Sequence, residues 1–353
     1  MKLLDLIKQN GEWLAPGGPK SEVVISSRVR LARNLEGFAF MSKAGRAQRA
    51  DLHRLCRQRL LALPAEQPLF YVDFEQTDDI DRQLLVERHL ISKQHAAGEG
   101  SRGVAVSINE AVSIMVNEED HLRFQVLRSG LRLRECWQQA EALDHLAQEQ
   151  FNYAYSERLG YLTACPTNVG TGLRVSVMLH LPALKLTGEI EKIVRAAKDT
   201  HLAIRGLFGE GTEAIGDFYQ ISNQTTLGRS EEEILGEFND ALTPGIIKAE
   251  LAARAQLEQE RPLALDDRIG RAIGVLRHAR LLSTEETLYF LSHLRLGVAM
   301  GRITGLELET INRLFLQIQP AHLQRLLGRP LDGEARKAAR AELVRQTLAV
   351  KPP

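Results

Sequence analysis

Val112-Ser113-Ile114-Met115-Val116 runs straight into Asn117-Glu118-Glu119-Asp120-His121-Leu122-Arg123. The first five residues read as a strand, and the next seven hold three carboxylates, a histidine and an arginine. A strand that ends in such a cluster delivers charge to a cleft or a rim. Like charges this close repel and require cations nearby. Working outward, Val104 to Ile108 pairs with Val112 to Val116 as a hairpin around Asn109-Glu110, and Arg123 to Leu127 continues as a further strand. A short-range antiparallel pattern of this kind, with helical stretches at 46–62, 79–90 and 133–148, points to an α+β fold.

Upstream, residues 3–14 read as a short amphipathic helix closed by Pro16-Gly17-Gly18-Pro19, and Val23 to Arg33 as an extended segment. Arg28 and Arg30 stand two apart, on one face of that strand. Two guanidinium groups so placed make either a solvated basic edge or an anion clamp. His95 to Gly103 reads as a mobile loop.

Downstream, Tyr161 to Met178 reads as a strand, a Pro/Asn/Gly turn over Pro166-Thr167-Asn168-Val169-Gly170, and then a helix running through His180-Leu181. Amides at such a turn suit oxyanions, and Cys165 beside a helix start would be a candidate reactive thiol. Its ordinary alternative is an inert core cysteine. The Gly-x-x-x-x-Gly-Lys-Ser/Thr spacing of a P-loop is absent. Leu202 to Phe208 reads as a strand leading into Gly209-Glu210-Gly211-Thr212-Glu213, a glycine-hinged acidic loop able to close over a ligand. Phe218 to Ser222 is the returning strand, and Ser230-Glu231-Glu232-Glu233 is a capping box opening a long helix toward residue 257. From about Arg261 only amphipathic helices follow, ending in a basic tail helix over 334–348.

Composition bounds the function. Lys plus Arg and Asp plus Glu both number 45 in 353 residues, so no strong net field draws the chain to nucleic acid or membrane. No apolar run has membrane-spanning length and the start lacks a signal-peptide core. Cys56, Cys136 and Cys165 have no paired spacing, which points to a reducing cytoplasm rather than a disulfide framework or zinc site.

Ser26-Ser27-Arg28-Val29-Arg30, Asn117 to Arg123, Cys165-Pro166-Thr167-Asn168, Gly170-Thr171-Gly172-Leu173-Arg174 and Arg205-Gly206 occur in this order. Together they resemble the ATP:guanidino phosphotransferases, or phosphagen kinases, over residues 20–250. Two features narrow the resemblance: only 25 residues precede Ser26, in place of the family's N-terminal helical domain, and a helical extension follows residue 261. This arrangement, with the wording of 161–174 and of Gln220 to Gly228, is similar to the bacterial protein arginine kinases.

The resemblance implies a division into an N-terminal helix and linker (1–20), a phosphagen-kinase-like catalytic domain with an antiparallel sheet flanked by helices (21–255), and an all-helical C-terminal domain (261–353) suited to dimerisation. It implies transfer of the γ-phosphoryl group of ATP, carried with Mg2+, to arginine side chains of proteins. In that scheme Glu119 is the general base, Glu210 grips the guanidinium from its other side and Cys165 contacts it. The nucleotide is held by Ser26 to Arg30, His89, Arg123, Arg174 to Met178 and Arg205 to Glu210, the latter span containing Gly206, Leu207, Phe208 and Gly209. Within the middle span Val175, Ser176 and Val177 follow Arg174. The implied partners are arginine-containing proteins, an activator, a transcriptional repressor and an Hsp100 unfoldase, in the cytoplasm and with a homodimer as the unit.

In the tail, Arg336-Lys337-Ala338-Ala339-Arg340-Ala341 aligns with the family's Arg-Asp-x-x-Arg-Ala phosphoarginine-binding run, with Lys337 where Asp is expected. An Asp there could pair with a guanidinium edge, and a Lys favours phosphate instead. Two other readings remain open: a kinase of free arginine or another small guanidine, and a phosphoarginine-binding adaptor or scaffold.

Overall fold

The computed structural model describes residues 3–206 and 215–349. Leu207 to Glu210, and with them the acidic loop to Glu213, lie outside the described residues.

In chain order the elements are β1 (Val24–Arg33), α1 (Arg46–Leu61), β2 (Leu69–Asp73), α2 (Asp79–Glu87), α3 (Lys93–Ala97), β3 (Gly103–Ser107), β4 (Val112–Val116), β5 (Leu122–Ser129) and α4 (Leu133–Gln148). A small β6 (Tyr155–Ser156) and β7 (Gly160–Tyr161) pair follows, then β8 (Leu173–His180), α5 (Pro182–Leu186), α6 (Ile190–Asp199), β9 (Leu202–Arg205) and β10 (Phe218–Asn223). The helices α7 (Glu231–Gly236), α8 (Thr243–Glu260), α9 (Pro262–His278), α10 (Thr284–Ala299), α11 (Leu308–Gln317), α12 (Pro320–Leu326) and α13 (Gly333–Leu348) complete the chain.

One eight-stranded sheet organises it, in the order β2-β3-β4-β5-β1-β8-β10-β9, with every neighbouring pair antiparallel. Because side chains alternate across a strand, each strand feeds two layers. On one face Val29, Leu31, Phe124, Val126, Val175, Val177 and Ile221 pack on Cys56 and Leu60 of α1, Leu133 and Ala140 of α4, and Ile234 and Phe238. On the other face Ile25, Leu127, Met178 and Phe218 join Leu288, Leu291 and Leu294 of α10, Leu314 of α11 and Val344 of α13. The helical stretch after residue 261 thus shares a core with the sheet. Toward the β2 edge, Val104, Val106 and Met115 pack on Leu85 and Val86 of α2. The arginine-bearing part of that second face is left concave.

Three local expectations are corrected. Residues 173–180 form a strand, not a helix: Leu173, Val175, Val177 and Leu179 enter one core while Arg174, Ser176 and Met178 face the opposite layer, a period of two. Residues 3–14 are two short 3-10 segments, Leu3–Lys8 and Glu12–Leu14, separated at Gly11 with its φ of 70°. His95 belongs to α3, is fully buried and hydrogen-bonds through Nε2 to the Gly103 carbonyl at 3.0 Å, so only part of 95–103 is loop. The Ser230 capping box is present, its side chain and that of Glu233 bonding reciprocally to backbone amides. The helix it opens passes through a π-helical stretch, Glu237–Leu242, before α8.

Candidate active site

The β4–β5 turn is built to hold Glu119 at a cavity edge. Asn117 sits at φ 61° and its amide bonds the His121 carbonyl at 3.0 Å, which closes the turn. The Asn117 side chain donates to the carbonyls of Arg49 and Ser101 at 2.9 and 2.7 Å. His121 is buried and accepts the Leu35 amide at Nδ1, so its Nε2 carries the hydrogen, toward the Ala39 carbonyl at 3.0 Å. Burial lowers its pKa, in keeping with a neutral ring. Asp120 ties the turn to two neighbours, accepting from Asn34 Nδ2 and from the Ala164 amide, both at 2.7 Å. One carboxylate therefore fixes the Glu119 turn to the segment that carries Cys165.

The two glutamates of the turn are not equivalent. Glu118 has a side chain 2% exposed and meets Arg123 at 2.6 Å, the Ser92 hydroxyl at 2.5 Å and the Glu119 amide at 3.1 Å. Burial alone would raise its pKa, but Arg123 and these donors hold the carboxyl below its usual range. Glu119 is 43% exposed and pairs with Arg123 at 2.9 Å. Arg123 is raised against its burial by Glu118, Asp120 and Glu119.

Arginines from four strands meet in one cavity of about 510 Å3. Arg28 and Arg30 come from β1, Arg123 from β5, Arg174 from β8 and Arg205 from β9. The register sets Arg30 directly opposite Arg174, with Arg123 opposite Ala32 and Arg205 opposite Gln220. Burial, then Arg174, Arg205 and Arg123, bring Arg28 down to about 9. Burial, then Arg28, Arg174 and Arg123, lower Arg30 well below the ordinary arginine value. Arg28 donates to Ser176 Oγ at 3.2 Å, Arg174 donates to Ser222 Oγ at 3.0 Å, and Arg30 Nε is buried with no acceptor. Cations held this close on a rigid sheet fit a polyanion with several charges.

His89 lines the same cavity, with burial and then Arg28 pushing its pKa down to about 3. Its imidazole is neutral, and its ring meets Trp13 edge-on at 4.6 Å. Cys165 also lines the cavity and lies 3.0 Å from Thr167 Oγ1. It precedes a single 3-10 turn, Pro166–Asn168, and not the start of an α-helix.

The other expected residues fall into four groups. Ser26, Ser176 and Met178 face the small recess beside Arg28 and His89. Val29, Val175 and Val177 face the opposite core, and Ser27 is buried, its hydroxyl bonding the Gly130 carbonyl, so these four could reach a ligand only through backbone already committed to the sheet. Gly206 directly follows β9, and Glu210 lies outside the described residues. In the tail, Arg340 is buried and spends its guanidinium on the carbonyls of Ile318 and Leu282 at 2.7 and 2.8 Å, Ala341 is in the core, Arg336 bonds the Leu331 carbonyl at 2.9 Å, and Lys337 is exposed.

Several cavity residues escaped the sequence reading: Ser92, Lys93, Gln94, Gln125, Gln220 and Gln224. Gln125 carried a usable signal, being polar and two residues from Arg123 on the same strand.

Cys165 yields a direct prediction. Cys56 and Cys136 are buried, which pushes both thiols up to about 12. An alkylating reagent should modify Cys165 first, and Mg-ATP with a guanidino substrate should slow that modification. Cys165→Ser should reduce turnover without abolishing it. Labelling that ignores both ligands would take the thiol out of the site.

Comparison with known proteins agrees with this geometry. Residues 52–253 match the ATP:guanido phosphotransferase C-terminal catalytic domain and residues 262–353 the protein-arginine kinase McsB C-terminal domain. A protein-arginine kinase from Halothermothrix orenii is 45% identical over 99% of both chains, and one from Moorella thermoacetica is 45% identical over 97% of this chain and 99% of its own. Among solved structures, lombricine kinase superposes with a TM-score of 0.59 at 27% identity, over 69% of this chain and 70% of that one. The duplicated taurocyamine kinase of Schistosoma mansoni with bound transition-state analogue components gives 0.61 at 28% identity over 69% of this chain, which spans about a third of that longer chain (34%). An antiparallel sheet with flanking helices, an arginine-lined cavity on one face and matches that together span most of the sequence place this chain in the protein-arginine kinase family of ATP:guanido phosphotransferases.

Proposed function

We propose that this cavity binds Mg-ATP and transfers its γ-phosphoryl group to the guanidinium of an arginine carried on a protein. The observation that carries the reading is the set of Arg28, Arg30, Arg123, Arg174 and Arg205 in one cavity, with Glu119 and Cys165 also lining it. Phosphoryl transfer needs little from a protein beyond positioning and charge neutralisation, and five fixed guanidinium groups supply both. Mg2+ carried on the phosphates adds charge neutralisation there; among the described residues no cluster of His, Cys, Asp and Glu offers a metal cage.

The acceptor poses a separate problem. A protonated guanidinium has no lone pair to attack with. Glu119 accepts its proton as transfer proceeds, while Glu118 and Asp120 keep the turn in place. Cys165 and, from the other side, Glu210 orient the planar acceptor. The neutral His89 imidazole contacts the nucleotide without adding another positive charge to the wall.

Mass spectrometry of a protein incubated with the chain and Mg-ATP, worked up without acid so that P–N bonds survive, should find phosphoarginine. Its absence, with phosphate on free arginine instead, would favour the small-guanidine reading. That second reading draws on the lombricine and taurocyamine kinases, but the relatives above 40% identity are named for protein arginine. A catalytically inert adaptor would have no use for a base and five cations held in register. The family also supports a role in protein quality control: marking proteins for an Hsp100 unfoldase in the cytoplasm, with an activator and a repressor as partners and a homodimer as the unit. Among the described residues no helix is long and apolar enough to cross a membrane.

A further inference from the structure

Part of the cavity wall comes from the end of α2 and the residues after it: Val86, His89, Ile91, Ser92, Lys93 and Gln94. His89 there adopts φ 58°, a left-handed conformation that a non-glycine residue keeps only where its surroundings enforce it. On one side Gln125 Nε2 donates to its carbonyl at 2.8 Å. On the other, the preceding Glu87 and Arg88 are both buried, at 2% and 0% exposure, and both are tied to α12, in the helical stretch more than 230 residues downstream.

The ties are specific. Glu87 accepts the amides of Ala321 and His322 at 2.9 and 3.0 Å. Arg88 donates to both oxygens of Glu110 at 2.6 and 2.5 Å, to the Gln9 carbonyl at 2.9 Å, and through its remaining terminal nitrogen faces His322 Nε2 at 2.8 Å. Arginine cannot accept, so His322 Nε2 is the acceptor and its Nδ1 carries the hydrogen, toward Glu87 Oε2 at 3.3 Å. The far end of α12 holds the start of α2, where Arg325 meets Asp78 at 2.5 Å and Asp81 at 2.6 Å. Thus α12 grips α2 at both ends.

We infer that His322 is a positioning residue for nucleotide binding: with Glu87 and Arg88 it makes α12 a splint that holds α2, and through it the strained His89 wall of the cavity. The inference rests on the reading of the cavity as a nucleotide site. It assigns the helical stretch a part in nucleotide affinity through a joint in which neither His322 nor Arg325 touches the ligand.

The test measures the Kd for Mg-ATP by calorimetry, together with KM for ATP and kcat, on the full chain. His322→Leu leaves a buried Arg88 donor unsatisfied; Kd and KM should rise roughly five- to tenfold with kcat changed far less. His322→Gln, which keeps an acceptor for Arg88, should restore both to within about twofold. Arg325→Gln acts at the partly exposed end of the splint, where the fold tolerates the change, and should raise Kd about two- to threefold; it decides the matter if the Leu variant does not fold. Unchanged Kd in Arg325→Gln and in a folded His322→Leu variant overturns the splint, as does a Gln variant as weak as the Leu one. A wild-type chain that binds no Mg-ATP instead removes the nucleotide reading itself.

Discussion

Glu119→Gln should leave Mg-ATP binding nearly unchanged while phosphoryl transfer falls roughly 10²–10⁴-fold, the usual cost of losing a positioned general base. The assignment turns on a choice between adjacent carboxylates. Glu118 is enclosed, with three hydrogen-bond or ion-pair partners and a side chain 2% exposed. A carboxylate so occupied, and held below its usual pKa range by them, is a poor proton acceptor and a good anchor for Arg123. Glu119 has Arg123 alone as its ion-pair partner among the described residues and is 43% exposed, so an incoming guanidinium can reach it. Gln is nearly isosteric and still accepts from Arg123, so the arginine stays in place. Glu118→Gln should behave differently, raising KM for ATP as Arg123 loosens. The measurement is single-turnover transfer with nucleotide binding followed in parallel. A Glu119→Gln variant within a few-fold of wild-type transfer would remove this residue from the base role.

The contrast between these two glutamates also shows what the sequence could not reveal. Both stand in the same run of acids; burial and the Ser92 hydroxyl, arriving from a helix cap 26 residues away, separate anchor from base. The strands and hairpin around the run were legible because alternation at period two is a local signal. The misread stretch is instructive for the same reason. Pro166 to Gly172 looked like a helix start, yet Leu173-Arg174-Val175-Ser176-Val177 already alternates apolar and polar, and β-branched valines at every second position belong to a pleated strand. The glycines after His95 read as a loop, whereas its ring packs against Phe74, centroids 4.8 Å apart, a contact that no local pattern encodes. The cavity arginines were legible only as motifs; their convergence needed the β1–β8 register, which sets Arg30 against Arg174. The joint between Arg88 and His322 spans 234 positions and left no trace in local sequence.

Arg30→Met should abolish nucleotide binding and at the same time raise the melting temperature of the nucleotide-free protein. Arg30 faces Arg174 across the β1–β8 ladder, and like charges placed directly opposite destabilise a sheet. Among the described residues no carboxylate lies within ion-pair distance of Arg28 or Arg30, and the Arg30 Nε is buried without an acceptor. A guanidinium does not shed its proton at physiological pH. Burial and its three arginine neighbours bring Arg28 down to about 9, so the charged guanidinium sits in surroundings that disfavour it. Replacing a half-buried guanidinium that faces like charges, only partly offset by Glu118, with an apolar side chain of similar length should recover on the order of 1 kcal/mol, roughly 2 °C in a chain of this size. Arg174→Ala should show the same sign with a smaller gain, because it also gives up its bond to Ser222. In the wild type, Mg-ATP at about 100 times its Kd should return ~2.7 kcal/mol of stability; in Arg30→Met that shift should vanish. Thermal melts with and without nucleotide read both effects. A variant that melts lower than wild type when empty, or that keeps the nucleotide-induced shift, would mean that the cations are compensated within the fold and are not waiting for a polyanion.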